Sequence, residues 1–173
     1  MSDIEREERK KQTQEYFTQK REIDEILSHW SNEEILRNET FLDSSCGSGN
    51  ILKAILQRKL DLFIKIEDAL PSLYGVDYQI SNVDECRRIL LCGSTDPKLI
   101  AIVEQNIQCR DALKFGYNFE PMGPARRKTE DKARSKQRRL KVKQEKIAKL
   151  EEAKKKKEAQ QKKLFGEIIP EFV

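Results

Sequence analysis

The sequence predicts an α/β fold with a small parallel sheet, followed by a long basic helix. Up to Phe119, short apolar runs alternate with stretches that have helical spacing, and this alternation is typical of βαβ units. After Phe119 the composition changes, and Pro121, Gly123 and Pro124 interrupt the chain within five residues. We therefore expect a folded body over residues 12–119, a hinge over 120–124 and a separate helical tail.

The N-terminal part of the body is predicted to be helical. A charged lead-in covers residues 1–11, and apolar residues then recur at helical spacing between Ile23 and Trp30. Ser31, with Glu34 three positions later, forms the capping-box pattern that begins a short helix. Two helices should therefore precede the first strand.

Three strands are predicted within the body, at Thr40–Asp43, Ser72–Asp77 and Ile107–Cys109. The first strand ends abruptly in the glycine-containing turn Ser44–Asn50. Asp96 followed by Pro97 is a typical helix start. The intervening sequence predicts helices over Ile51–Leu60, Leu62–Leu70, Asn82–Leu91 and Pro97–Gln105.

The tail carries most of the positive charge of the chain. Ala125–Lys163 holds 18 Lys and Arg against 6 Asp and Glu, a net of +12, so the rest of this +4 chain sums to 4 − 12 = −8. A basic segment joined to an acidic body indicates nucleic acid or another polyanion as a partner. Leu140, Ile147 and Leu150 are too few for a long coiled-coil seam, so an isolated helix is expected, before an apolar segment over residues 164–173.

The candidate chemistry lies in the turn after the first strand. Gly47 and Gly49 lead the chain into a helix N-terminus, where backbone N–H groups and close approach favour a ligand. Asp77 closes the second strand and can accept both hydroxyls of a ribose. Asp43 would repel a phosphate but could hold an ammonium group. A ligand with ammonium, ribose and adenine groups therefore fits better than a dinucleotide, and an ordinary strand-to-helix turn is the alternative.

Four segments in order resemble the motifs of N6-adenine DNA methyltransferases. Phe41–Asn50 (FLDSSCGSGN) is similar to motif I, with Ser44 in place of the usual proline. Thr13–Thr18 looks like the upstream cofactor-lid motif, Tyr74–Asp77 like motif II, and Asn106–Leu113 like motif III. Together they span Thr13 to Leu113, and the closest overall likeness is to small methylase-like proteins of bacteriophages.

This resemblance implies a truncated Rossmann-like, S-adenosylmethionine-dependent methyltransferase fold that transfers a methyl group to the adenine amino group of DNA. S-adenosylmethionine is the implied cofactor, with Asp43, Gly47 and Gly49 at its methionine moiety, Asp77 at the ribose and Asp111 at the adenine. The implied cofactor-binding residues are Tyr16, Phe17, Thr18, Asp43, Cys46, Gly47, Gly49, Asp77, Asp111 and Ala112.

The sequence departs from the family at the catalytic motif. A tetrapeptide of the form [D/N/S]-P-P-[Y/F/W] holds the target amino group and stacks on the flipped base in these enzymes, but it occurs nowhere in this chain. Glu120–Gly123 is the nearest stretch, so the catalytic residues remain unknown. The alternatives are a catalytically incomplete accessory subunit that binds cofactor or nucleic acid, and a protein whose tail carries the function while the body anchors it.

The cysteine and histidine content and the N-terminal sequence indicate which classes of protein are excluded and which cellular compartment is expected. Four cysteines without C-x-x-C spacing and one histidine argue against a disulfide scaffold or a zinc site. The start of the chain lacks the apolar core of a signal peptide, so we expect a cytoplasmic protein with no membrane partner, in the host cytoplasm if phage-encoded. DNA is the expected partner of the tail, through Arg138, Arg139, Lys141, Lys143, Lys154, Lys155, Lys156 and Lys157.

The first strand is expected to need a neighbour. The family order of strands, 3-2-1-4-5-7-6, would leave Thr40–Asp43 at an edge in a chain with three strands, and open edges attract other strands. We expect this edge to be completed by Phe115–Phe119, by Glu167–Val173 or by a second molecule. Glu167–Val173 is the preferred candidate within the chain, and a homodimer or a partner methyltransferase subunit stays open.

Overall fold

The computed structural model describes residues 18–37, 39–119 and 121–168. The chain divides into two compact units, Met1–Arg127 and Lys128–Val173. Within the described ranges, no helix is both long and apolar enough to cross a membrane.

The described part of the chain contains three strands and seven α-helices, and their order agrees with the alternation expected from the sequence. A single 3-10 turn, Leu70–Ser72, leads into the central strand. The elements are α1 (Lys20–Ser28), α2 (Asn32–Leu36), β1 (Phe41–Asp43), α3 (Asn50–Asp61), α4 (Ile66–Ala69), β2 (Leu73–Asp77), α5 (Ile80–Leu90), α6 (Pro97–Asn106), β3 (Ile107–Cys109) and α7 (Pro124–Ile168).

The three strands form one parallel sheet in the order β1-β2-β3. Asp43 of β1 lies opposite Gly75 of β2, and Asp77 of β2 lies opposite Cys109 of β3. The mixed α/β class, the parallel sheet and the long C-terminal helix are thus confirmed. Because parallel strands point the same way, the residues that follow all three strands meet at one edge of the sheet.

Helices that precede and follow β2 in the sequence pack around this strand and form the core with it. Gly75 permits this packing, since a Cβ there would lie 2.9 Å from Leu52 Cδ1 and 3.1 Å from Ile107 Cδ1. The aliphatic residues that are almost completely buried include Leu52, Ile55, Leu56, Leu73, Val76, Val83, Leu90, Val103 and Ile107.

Two of the predicted helix starts are confirmed in detail, whereas the helix predicted from Asn82 begins at Ile80. Ser31 Oγ accepts the Glu34 amide at 3.3 Å, while the Ser31 amide donates to Glu34 Oε2 at 2.7 Å, which is the reciprocal capping box. Asp96 Oδ1 accepts the Lys98 amide at 2.8 Å. These bonds satisfy backbone donors that the first helical turn leaves without partners.

The helix predicted over Leu62–Leu70 is wrong in extent. Only Ile66–Ala69 is α-helical. Phe63 has a φ of +65°, in the left-handed region that ends a helix. The chain therefore leaves α3 in a turn before α4 begins.

Two arginines cover the outer edge of β3. The Arg87 guanidinium donates to the Ile107 carbonyl oxygen through Nε at 3.1 Å and Nη2 at 2.6 Å. Arg126, in the first turn of α7, donates to the same oxygen at 3.2 Å and also to the Glu104 carbonyl. Both arginine side chains are buried. These charged donors occupy the carbonyl that another strand would need, which is one way of protecting a sheet edge.

The proposed completions of β1 within the chain are not found in the described residues. Phe115–Phe119 forms no strand; its rings pack together instead, and Phe119 contacts Tyr74 with ring centroids 4.7 Å apart. Glu167 and Ile168 lie in α7, so a strand over Glu167–Val173 is wrong for these two residues, and the rest of that segment is outside the described residues. β1 is thus an edge strand of the described sheet.

Candidate functional site

Three acidic residues follow the three strands at the carboxyl edge of the sheet. Asp43 is the last residue of β1 and Asp77 the last of β2, while Asp111 comes two residues after the end of β3. The Arg110 amide donates to the Asp77 carbonyl at 2.9 Å and so holds the start of the Asp111 loop beside β2. The sheet therefore gathers the acids that the sequence singled out.

The glycine turn is held by its own backbone and by β2. Asp43 Oδ1 accepts the Ser45 amide at 3.0 Å, and the Cys46 amide donates to the Val76 carbonyl at 3.0 Å. The Gly49 amide donates to the Cys46 carbonyl at 2.8 Å. These bonds curl the chain tightly at the start of α3.

The two glycines of this turn serve different purposes. Both have positive φ, +52° at Gly47 and +88° at Gly49, a conformation that glycine adopts most easily. A Cβ on Gly49 would lie 2.5 Å from Cys86 Sγ, whereas a Cβ on Gly47 would meet nothing within 4 Å. Gly49 therefore allows α3 to pack on α5, while Gly47 borders open space in which a ligand could approach the backbone.

Asp77 organises the centre of the site. Its Oδ2 accepts the Gly47 amide at 3.1 Å, and its Oδ1 accepts the Gln79 amide at 2.7 Å and Asn82 Nδ2 at 3.2 Å. The sequence did not indicate these bonds, which make Asp77 a structural acceptor as well as a candidate ligand for a ribose. Its carboxylate is thus oriented before any ligand arrives.

Asp43 lies in a partly buried position beside Asp77. Burial raises the pKa of the Asp43 carboxyl, the Ser45 amide bond opposes this shift, and the negative charge of Asp77 raises it further. Two neighbouring carboxylates that are partly shielded from water each disfavour the ionised form of the other. A cationic group would relieve this repulsion, so the arrangement favours an ammonium or sulfonium ligand over a phosphate.

Cys46 is a packed thiol rather than a nucleophile. Its side chain is buried, and a hydrogen bond with Cys86, followed by burial itself, raises the pKa of the Cys46 thiol well above its ordinary value. A thiol that stays protonated is a poor nucleophile. Cys46 therefore contributes packing to the turn and not covalent chemistry.

In the loop after β3, Asp111 has a hydrogen-bond partner and an ion-pair partner of its own. Asp111 Oδ1 accepts the Leu113 amide at 3.1 Å, and Lys114 Nζ lies 3.3 Å from Oδ2. The carbonyl of Ala112 accepts the Tyr117 hydroxyl at 3.1 Å. Asp111 is thus fixed in a turn, and its pairing with an exposed lysine is of the kind that breaks easily.

Two exposed apolar side chains at this edge were missed by sequence reasoning. Tyr78 directly follows Asp77 and is 75% exposed, while Leu113, two residues after Asp111, is 97% exposed. Large apolar side chains beside a cluster of acids are suited to hold a flat aromatic ring. The signal that could have identified them is their position: Tyr78 directly follows the acid that closes β2, and Leu113 lies two residues after the acid in the loop that follows β3.

The remaining predicted site residues belong to the N-terminal segment and to the tail helix. Tyr16 and Phe17 are outside the described residues, and Thr18 is the first residue described. On α7, Lys156 Nζ lies 2.7 Å from Glu152 Oε1, and the side chain of Lys157 is outside the described part. The predicted nucleic-acid-binding side chains that are described, all of them exposed, are Arg138, Arg139, Lys141, Lys143, Lys154, Lys155 and Lys156.

No family model, curated protein or solved structure matches this chain. In the described ranges, no three His, Cys, Asp or Glu side chains come together in a way that could hold a metal ion.

Proposed function

We propose that the body of this protein is a truncated Rossmann-like domain that binds S-adenosylmethionine. The observation that carries the proposal is the convergence of Asp43, the Gly47 turn and Asp77 at the carboxyl edge of a parallel sheet. Ligands of open α/β sheets bind at this edge. The cofactor carries positive charge, a ribose and an adenine. The acid pair suits the positive charge, the oriented Asp77 carboxylate suits the ribose, and the exposed apolar side chains suit the adenine.

Each part of the cofactor has a candidate position. The open space at Gly47 and the negative charge of Asp43 suit the methionine moiety, with its ammonium and sulfonium groups. Asp77 would accept the ribose hydroxyls from a carboxylate already held by Gly47 and Asn82. Tyr78 would cover the adenine ring, and Asp111 would accept its amino group.

Methyl transfer to the adenine amino group of DNA is the reaction we propose for this domain, on the strength of the four motif resemblances. The chain lacks the proline-containing catalytic tetrapeptide, so a second chain would have to supply the contacts to the target base. The second candidate function is an accessory subunit that binds cofactor or nucleic acid without catalysis. The same missing tetrapeptide favours it.

The tail is proposed to bring the domain to DNA. Its net charge of +12 between Ala125 and Lys163 supplies a sequence-independent attraction to phosphates. Such a tail would raise the local concentration of DNA near the body without selecting a target sequence.

Isothermal titration calorimetry of the full chain with S-adenosylmethionine tests the cofactor proposal. We expect saturable binding of S-adenosylmethionine and of S-adenosylhomocysteine, and no binding of NAD, because Asp43 would repel its pyrophosphate. The absence of heat at millimolar S-adenosylmethionine would refute the proposal. Tight binding of NAD would instead indicate a dinucleotide site.

A transfer assay then separates the two candidate functions. Purified protein is incubated with duplex DNA and S-adenosylmethionine that carries a labelled methyl group, and label in N6-methyladenine is measured. Cofactor binding with label transfer supports the enzyme. Cofactor binding without transfer, both by this chain alone and with an added chain that carries the catalytic tetrapeptide, supports the accessory subunit.

A further inference from the structure

Six basic residues of the tail helix lie in one line along its surface. Successive members are four, four, three, four and three residues apart in the sequence, and residues three or four apart are neighbours on one face of an α-helix. All six are exposed. We name this line the basic stripe, and it consists of Lys128, Lys132, Lys136, Arg139, Lys143 and Lys146.

Acidic residues are excluded from the stripe. From Lys132 to Lys146, no stripe residue has an Asp or Glu three or four positions away. Lys128 has one such neighbour, Asp131, but Asp131 Oδ1 lies 2.9 Å from Arg134 Nη1. None of the six stripe residues forms an ion pair within the described part of the chain.

Basic residues on the other side of the same helix are arranged differently. Arg134 pairs with Glu130 as well as with Asp131, and Lys156 pairs with Glu152. Lys141 lies four residues before Glu145, and Lys155 lies four residues after Glu151. The tail therefore keeps acidic residues away from one face and places them beside many of the basic residues on the other.

The stripe destabilises the helix on which it lies. Neighbouring like charges at a separation of three or four residues repel each other on a helix surface, and the stripe contains five such neighbouring pairs. A bound polyanion would remove this repulsion. The line of cations is therefore suited to a ligand whose negative charges also repeat along a line.

We propose that the basic stripe binds the phosphate backbone of duplex DNA without regard to sequence. At about 1.5 Å per residue the stripe extends roughly 27 Å, and a helix about 10–12 Å wide fits a major groove about 12 Å wide. This inference deepens the proposed association of the tail with DNA and rests on it, but it does not depend on cofactor binding.

The composition of the tail favours a duplex over the other polyanions. Proteins that hold single strands stack the bases on aromatic side chains, and Ala125–Lys163 contains no aromatic residue. Helices that lie on membranes bury an apolar face opposite their charges. Here Leu140, Ile147 and Leu150 each follow a stripe cation by four residues, so the apolar residues share the side of the helix that carries the cations.

The stripe includes only some of the residues that the sequence predicted to contact DNA. Arg139 and Lys143 belong to the stripe, whereas Arg138, Lys141, Lys155 and Lys156 lie on the other side of the helix. Lys154 continues the line beyond Leu150 but has Glu151 three residues before it.

Two triple variants of the full chain with equal charge differ only in the face that they alter. The first replaces stripe residues, K136Q/R139Q/K143Q, and the second replaces residues from the other side, R138Q/K141Q/K155Q. Binding to a labelled duplex longer than the stripe is measured by fluorescence anisotropy over a series of salt concentrations. Circular dichroism verifies that both variants keep their helical content.

We expect log K of the unaltered chain to fall with log salt at a slope of about −5, which corresponds to six phosphate contacts on duplex DNA. The stripe variant should bind at least about tenfold more weakly, with its slope reduced by about 3, whereas the control should change by less than about threefold. Equal losses in the two variants would overturn the proposal, because net charge alone would then explain binding. Preference for a single strand, or for vesicles of anionic lipid over the duplex, would also overturn it.

Cofactor titration of the same samples separates this inference from the proposed function. The stripe variant should bind S-adenosylmethionine as the unaltered chain does. One possible result is that no form of the protein binds the cofactor and that only the stripe variant loses affinity for DNA. The cofactor proposal then fails and the stripe proposal stands. The reverse pattern overturns the stripe and leaves the cofactor site intact.

Discussion

The Gly47 amide donates a hydrogen bond to Asp77 Oδ2 at 3.1 Å, across a separation of thirty residues. This bond joins the turn after β1 to the end of β2. The acid proposed to hold the cofactor ribose therefore also fixes the turn proposed to hold the methionine moiety. Removing it should affect both cofactor affinity and stability.

Replacement of Asp77 by Ala is expected to weaken S-adenosylmethionine binding by about 1–3 kcal/mol, the range for loss of a charged hydrogen-bond acceptor. The melting temperature should fall too, because the amides of Gly47 and Gln79 lose their acceptor. Asp77→Asn is the matched control, since its amide oxygen can still accept the Gln79 amide. An Asp77→Ala variant with unaltered cofactor affinity in calorimetry would contradict the proposed ribose contact.

Alanine substitutions at the two glycines of the turn should separate ligand binding from folding. Gly47→Ala is expected to destabilise the protein by about 1–2 kcal/mol, the usual penalty for a left-handed residue with a side chain, and to weaken cofactor binding because its Cβ enters the open space. Gly49→Ala should destabilise the fold more, since its Cβ would lie 2.5 Å from Cys86 Sγ. Thermal unfolding of both variants, with and without S-adenosylmethionine, checks this order. The reverse order of melting temperatures would refute the assigned roles.

Asp43→Asn is expected to stabilise the protein without cofactor while weakening cofactor binding. Burial raises the pKa of Asp43, so its neutral form favours folding below the unfolded pKa of about 3.9, and this contribution is lost as the pH rises through the folded pKa. Asparagine stays neutral and keeps an oxygen for the Ser45 amide. The melting temperature of Asp43→Asn relative to the unaltered chain should therefore increase from pH 4 towards neutrality. A difference that does not vary with pH would show that the Asp43 charge does not oppose folding.

Arg126 and Arg127 offer a matched pair at the start of α7. Arg126 is buried and donates to the carbonyls of Glu104 and Ile107, whereas the exposed Arg127 only approaches the Glu104 carboxylate at 4.0 Å. Arg126→Ala should lower the free energy of unfolding by about 1–3 kcal/mol, and Arg127→Ala by less than about 1 kcal/mol. Urea denaturation of both variants measures the difference. Equal effects would show that the Arg126 bonds do not protect the β3 edge.

The local features of this fold could be predicted because short stretches of sequence specify them. The Ser31 capping box and the Asp96 helix start depend on residues two or three positions apart, and both are found. The parallel sheet followed from three apolar runs that alternate with helical stretches. The helix predicted after Leu62 was wrong because helical periodicity does not reveal the left-handed conformation of Phe63.

The long-range contacts of the site could not be predicted in the same way. The bond from Gly47 to Asp77 and the contact of Gly49 with Cys86 depend on how the two βα units pack, and no spacing in the sequence encodes that packing. The apolar run near the C-terminus was the preferred candidate within the chain to complete β1, but its described residues, through Ile168, lie in the helix. The basic stripe, by contrast, was present in the sequence and becomes apparent once the tail is treated as one continuous helix.

Nuclear magnetic resonance of the full chain labelled with ¹⁵N, titrated with S-adenosylmethionine, tests the central claim most directly because it reports both binding and position. We expect saturable shifts of the amide signals of Gly47, Gly49, Asp77 and Asp111. Signals from the opposite end of the sheet, such as those of Glu39 and Leu73, should change little. No shifts at millimolar S-adenosylmethionine, or shifts confined to residues away from the carboxyl edge, would contradict the account.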